Sequence, residues 1–171
     1  KNFISIYNTE KCVDYMKKNH CMVAYMEGLV DIRYDVRQHR AVFIIKKQNE
    51  IVGAVGRGLT SEVYPKWFMY GDKSHPFICG KSDKAILVED CASACAVSNI
   101  ITGVALLGTS LPDDYIPILK QFKSVVVALD RDATSKAFDI HQKLCYYVKS
   151  EVKILDEDLK YFTTDEIRKL L

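Results

Sequence analysis

The chain has 171 residues and a mass of 19.5 kDa, with 49% hydrophobic residues, 27% charged residues and a formal net charge of +2. These values exclude a disordered tail, and no window approaches the roughly 18 consecutive apolar residues that a membrane-spanning helix requires. The length accommodates one generous domain, or a core domain with a smaller partner. The charge is unevenly spread. Residues 1–82 carry 13 Lys and Arg against 8 Asp and Glu, and residues 83–171 carry 11 against 14, so the halves stand at +5 and −3. A basic half suits an anionic partner and an acidic half suits a cation, although solvated surface charge accounts for either excess. The chain opens on Lys1, with no charged and apolar leader, and reads as a piece of a longer protein. Six cysteines without a CxxC pair read as reduced thiols of an intracellular protein. For Cys91 and Cys95, ordinary burial is preferred over a zinc site completed by a histidine.

In chain order, TEKCVDYMKK from Thr9 to Lys18 fits a short amphipathic helix with Thr9 as N-cap and Asn19 as stop. Asp31, Arg33, Asp35 and Arg37 alternate with Ile32, Tyr34 and Val36, as in a half-exposed strand whose charges form the wet face. Ala41–Ile45 and Ile51–Val55 flank a polar KKQNE segment and predict an antiparallel hairpin. The second of these runs enters Gly56-Arg57-Gly58, which reads as a tight bend or as a pair of glycines presenting a guanidinium. Pro65-Lys66-Trp67 follows. Lys66 and Trp67 suit a phosphate and a base, or equally a lysine stem lying over a ring. The turn-rich segment Tyr70–Ser82, with Lys81 near its end, marks a boundary between an N-terminal basic subdomain (1–82) and a second domain (83–171).

The second half alternates short β-branched runs with helical patterns. Strands are expected at Ala85–Glu89, Val104–Leu107, Val125–Leu129 and Val152–Leu155. Helices are expected at Ala92–Ile101, stopped by Gly103, around Asp114–Phe122, and from Ala133 to about Tyr147. A final helix over Thr164–Leu171 is announced by the Thr163/Glu166 capping box. Such alternation implies an α/β fold with parallel pairing and helices on both faces.

Ligands of open α/β sheets lie beyond the carboxyl ends of the strands, where Glu89, Asp130 and Asp132 fall. Residues two apart on an extended strand end point the same way, which would aim Asp130 and Asp132 at one site. Converging carboxylates repel one another, and a hard divalent cation such as Mg²⁺ relieves that repulsion while keeping positions for phosphate oxygens. The competing explanation is capping: Asp90 precedes one helix, and Asp130 and Asp132 precede another. For all three strand-end acids together, the metal reading is preferred.

The segments LVED, GTSL and ALDRDATSKA resemble the Toprim domain shared by bacterial and phage primases, topoisomerases and some nucleases. The flanking residues resemble the primase branch, in which a hairpin precedes a Gly-Arg-x-Leu element, here Gly56 to Leu59, and then a Pro-Lys-aromatic element, here Pro65 to Trp67. Tyr70-Gly71 and Gly108 to Leu111 continue the same order, over roughly residues 30–160. The resemblance implies a Rossmann-like Toprim parallel sheet flanked by helices, preceded by a smaller basic α+β subdomain. It further implies a DNA primase catalytic core that makes short RNA primers on single-stranded DNA from NTPs, using Mg²⁺ or Mn²⁺ held by Glu89, Asp130, Asp132 and Asp158. Arg57, Lys66, Trp67, Lys81 and Lys136 would bind nucleotide or template. A replicative helicase is the implied partner, no membrane is involved, and the implied setting is the cytoplasm of a bacterial or phage-infected cell. Two features depart from the family pattern. Asp90 and Ser93 stand where relatives have Gly and a further Asp, and Tyr161 stands near the second member of the later acidic pair to which Asp158 is assigned.

Two other functions use the same residues. A Toprim nuclease or topoisomerase fragment would break phosphodiesters with these carboxylates, and a degenerate site, for which Ser93 is the best argument, would leave a non-catalytic nucleic-acid-binding module. The GxxxxGK[ST] loop of a fused helicase does not occur in the chain.

Overall fold

The structure is a computed structural model and describes residues 3–171. Two five-stranded sheets organise it. The first is antiparallel, in the order β1 (Ile4–Ser5), β2 (Ile32–Asp35), β3 (Arg40–Lys47), β4 (Glu50–Gly58), β5 (Trp67–Tyr70). The hairpin between β3 and β4 turns through Gln48 and Asn49, both at positive φ, the pair of left-handed residues that suits the twist of a two-residue hairpin. The strands extend past the expected apolar runs at both ends. Gly56 and Gly58 lie within β4, so the GRG element is strand and not bend. A Cβ at Gly56 would come within 2.7 Å of the Tyr70 ring and 2.9 Å of the Arg40 side chain, which explains the glycine by packing.

One face of this sheet carries the apolar stripe of α1 (Glu10–Lys18) and the short α2 (Met22–Met26). Cys12 and Met16 of α1 are fully buried one turn apart, as the 3.6-residue period requires. Thr9 occupies the N-cap with extended backbone, but its hydroxyl makes no capping bond. Asp35, read from the sequence as part of a wet face, is buried. Its carboxylate accepts from the backbone N–H of Arg37 at 2.9 Å and of Gln38 at 3.3 Å, and from the Tyr70 hydroxyl at 2.7 Å, which satisfies it internally.

The second sheet has the order β10 (Ser150–Val152), β9 (Ser124–Val127), β7 (Lys84–Val88), β8 (Thr102–Ala105), β6 (Phe77–Cys79). Four parallel strands are present; the first three overlap the expected runs, whereas the fourth lies at Ser150–Val152 and shares only Val152 with the expected Val152–Leu155. β6, which falls inside the turn-rich Tyr70–Ser82 segment, adds an antiparallel edge. Alternate residues of each strand face opposite cores. Ile86, Val88, Ala105 and Val126 turn toward α3 (Cys91–Val97) and the first sheet; Ala85, Leu87, Val104, Val125 and Val127 turn toward α4 (Ile116–Leu119) and α5 (Thr134–Leu144). The first of these cores runs continuously into the N-terminal sheet, where Phe43 of β3 meets Phe77 of β6 edge-on at 5.6 Å between centroids.

Helix α3 is shorter than expected, and Gly103 is not its stop but a residue of β8. A Cβ there would lie 2.6 Å from the Cα of Ala94 and collide with its carbonyl, so Gly103 is what allows α3 to lie flat on the sheet. The Asp114–Phe122 segment is a 3₁₀ turn over Asp113–Tyr115 followed by α4. The chain ends in α6 (Thr164–Leu170), with both bonds of the Thr163/Glu166 capping box formed.

Candidate active site

Parallel pairing brings the carboxyl ends of β7, β8 and β9 to one edge. The backbone continues the ladder past the strands: Leu107 N–H donates to the Glu89 carbonyl at 3.0 Å, and Ala128 N–H to that of Leu87 at 3.0 Å. Glu89 and Asp130, 41 residues apart in sequence, are thereby neighbours, and the Asp130 backbone N–H donates to Glu89 Oε1 at 3.3 Å. Together with Asp158 they line a cavity of about 420 Å³ between the two sheets. The apolar wall is Val55, Trp67, Met69 and Leu107, and the cationic side chains are Lys66, Lys73 and Lys160.

Each wall has a local cause. Arg40, buried in β3, donates to the carbonyls of Gly56 at 3.3 Å and Pro65 at 2.7 Å, tying the loop before Lys66 to the sheet. Trp67 then pairs with Arg57 across β4 and β5, with the guanidinium carbon 5.4 Å from the ring centroid. On the opposite side the chain leaves β8 through Leu107 at φ +59° and Gly108 at φ +152°, and a Cβ on Gly108 would sit 3.0 Å from Lys73 Nζ. At such an angle a side chain is strained whatever the space, so glycine suits this rim of the cavity.

The carboxylates are electrostatically crowded. Burial pushes Asp130 up to about 7, with the charges of Glu89 and Asp158 adding to it. Glu89 is raised by burial and by the charges of Asp132, Asp158 and Asp90, against the opposing hydrogen bond from Asp130 N–H. Burial would raise Asp158 too, but the hydrogen bond and charge of Lys160 outweigh it and hold Asp158 below the ordinary carboxylate range. The neighbouring Asp130 and Asp158 carboxyls are thereby pushed apart, Asp130 upward and Asp158 downward.

The sequence-derived site residues divide into groups. Glu89, Asp130, Asp158, Lys66 and Trp67 line the one cavity. Asp132 is exposed. It follows Asp130 within the 3₁₀ turn Arg131–Ala133, not on a strand, and borders a shallow acidic depression with Asp130, Asp156, Glu157 and Asp158. Arg57 packs against Trp67 on the same face of the sheet but does not line the cavity. Lys81 lines a separate hollow with Glu27, Leu29 and Ser98, and Lys136 is exposed on α5. The capping alternative holds for one acid: Asp90 Oδ1 accepts from Ser93 N–H at 2.8 Å as the N-cap of α3, whereas Asp130 forms no such bond.

Sequence reasoning missed two cations of this cavity, Lys73 and Lys160. Lys160 lies two residues beyond Asp158, a spacing that could have drawn attention to it. Nothing in the turn-rich stretch around Lys73 distinguishes that residue.

Among the described residues, no group of three or more His, Cys, Asp or Glu side chains forms a cluster suited to a metal ion. The pair Glu89 and Asp130 is nevertheless an all-oxygen donor set whose mutual repulsion a hard cation would relieve, and Mg²⁺ is commonly held by one or two carboxylates plus substrate phosphates.

This two-sheet mixed α/β arrangement is a primase-like fold. In particular, the chain is similar to the primase of Aquifex aeolicus, in a structure of its zinc-binding and RNA polymerase domains, with a TM-score of 0.66 and 25% sequence identity. The match covers 99% of this chain and 49% of that one, so this chain spans about half of its length. No family model matches the chain, and no match in sequence was found among curated proteins.

Proposed function

We propose that the chain is the catalytic core of a DNA primase, with a Toprim domain that joins ribonucleotides on a single-stranded DNA template. The observation that carries the proposal is the meeting of Glu89, Asp130 and Asp158 with Lys66 and Trp67 in one cavity, within a fold similar to a primase over nearly its whole length. The order of the second sheet supports the Toprim assignment, since its acids stand at the carboxyl ends of adjacent parallel strands.

In this reading Lys66 binds a nucleotide or template phosphate and Trp67 offers a face for a base, held by the neighbouring Arg57. Lys73 adds a second cation across the cavity. Glu89 and Asp130, with Asp132 and Asp158 near them, hold Mg²⁺ or Mn²⁺, which when bound neutralises charge on the attacking and leaving oxygens of nucleotidyl transfer. The wall formed by Val55, Met69 and Leu107 limits water around the reacting phosphate. A replicative helicase remains the proposed partner.

The test is primer synthesis on single-stranded DNA with NTPs and Mg²⁺ or Mn²⁺. Glu89→Gln is expected to lower the rate at least about a hundredfold, the scale on which electrostatic stabilisation acts. Full activity in correctly folded Glu89→Gln protein would remove the metal assignment. Strand nicking without NTPs would place the chain with the Toprim nucleases instead.

A further inference from the structure

Lys160 Nζ lies 3.0 Å from Asp90 Oδ2 and 2.6 Å from Asp158 Oδ2, with its side chain only 12% exposed. It reaches this position because the 3₁₀ turn Leu159–Tyr161 packs on α3, anchored by the buried Leu159. Sequence separation gives the contact no local origin: Lys160 and Asp90 are 70 residues apart. We infer that Lys160 is a permanent internal cation of the cavity, occupying the place between Asp90 and Asp158, so that the site takes a single divalent ion, at Glu89 and Asp130, in place of a pair.

The carboxylate oxygens support this count. Both oxygens of Asp90 are engaged: Oδ1 caps α3 through Ser93 N–H and Oδ2 receives Lys160. Turning it toward an ion would uncap the helix and take away one of the ammonium's two carboxylate partners. Asp158 gives Oδ2 to the same ammonium. A divalent ion between Asp90 and Asp158 would have to displace the lysine or sit against a sequestered positive charge. Glu89 and Asp130 have no cation within ion-pairing distance among the described residues, so that side of the cavity is where added positive charge is favoured. The ammonium would thus do part of the neutralising work that a second ion performs elsewhere, without being lost when metal is scarce.

This inference rests on the proposed metal role of Glu89 and Asp130, and the experiment separates the two. Mn²⁺ binding to the full chain is titrated without nucleotide, reading free Mn²⁺ by electron paramagnetic resonance. The wild type is expected to bind a single ion, which Glu89→Gln abolishes. Lys160→Met, which keeps the shape and removes the charge, is expected to take up a second ion, and Lys160→Arg is expected to keep the wild-type count. Two ions in the wild type, weakened by Glu89→Gln, overturn the inference and leave the metal reading standing, and that result needs no lysine variant to fold. An unchanged count in folded Lys160→Met overturns the inference in the same way. One ion that survives Glu89→Gln, or none in either the wild type or folded Lys160→Met, overturns the metal reading and the inference with it.

Discussion

Replacing Asp130 by Asn tests whether the cavity is under electrostatic strain when no cation is present. Asp130 is held at about 7 against an ordinary value of 3.8, first by burial and then by the charges of Glu89 and Asp158. An acid raised on folding carries no penalty below its unfolded value, where it is protonated in both states. The penalty grows as pH rises between the two values and is complete above about 7, because the unfolded chain binds fewer protons than the native one over that window. At about 1.4 kcal/mol per pH unit, the ceiling is ~4 kcal/mol. Asp130 is only partly buried, and solvent screening brings a realistic figure down to ~1–2 kcal/mol. Asn keeps the shape of the acid and removes its charge, so Asp130→Asn should gain that stability at high pH. For a chain of this length, 1 kcal/mol corresponds to about 2–4 °C in Tm, so the expected gain is ~3–6 °C at about pH 8, shrinking toward nothing near pH 4. Thermal unfolding in the presence of a chelator measures it. An equal gain at both pH values, or a loss at high pH, would refute the electrostatic argument.

Three further outcomes follow from the packing and the site. Gly103→Ala forces a methyl into the backbone of Ala94 and should cost ~1–3 kcal/mol or more in urea unfolding, since the obstacle is a helix backbone and not a flexible side chain. Trp67→Ala should weaken single-stranded DNA or nucleotide binding by ~1–3 kcal/mol in a fluorescence titration, with Trp67→Phe recovering most of it, if the ring stacks on a base. Because Cys145 alone of the six cysteines is exposed, an aromatic disulfide reagent should titrate one thiol quickly in the native chain and the others only after denaturation.

Much of the fold can be read from the residues because its periods are unambiguous. Three of the four parallel strands overlap the short apolar runs that announce them, and Glu89 and Asp130 at their ends needed only the parallel assignment to converge. Where one letter serves two physical roles, the sequence is silent. Gly103 satisfies equally a helix stop and a close approach of helix to sheet, and only the position of Ala94 decides between them. The Gly56-Arg57-Gly58 element looks like a bend until the Tyr70 ring and Arg40 are seen to fill the space a side chain would need.

The acids pose the same ambiguity in a sharper form. A short carboxylate before a helix is suited both to capping the helix N-terminus and to binding a cation, because both roles ask for an oxygen acceptor near positive charge. Asp90 and Asp130 are alike in this respect, and what separates them is their second partner. Asp90 meets Ser93 N–H and the ammonium of Lys160, and is neutralised; Asp130 meets Glu89 and Asp158, and is not. The residue that makes the difference comes from a turn 70 positions away, which no local pattern reports. Lys160 therefore does more than pair with a neighbour. By satisfying Asp90 and restraining Asp158 it leaves the uncompensated charge on Glu89 and Asp130, which is the one place in the cavity where added positive charge would relieve repulsion without first breaking an existing ion pair.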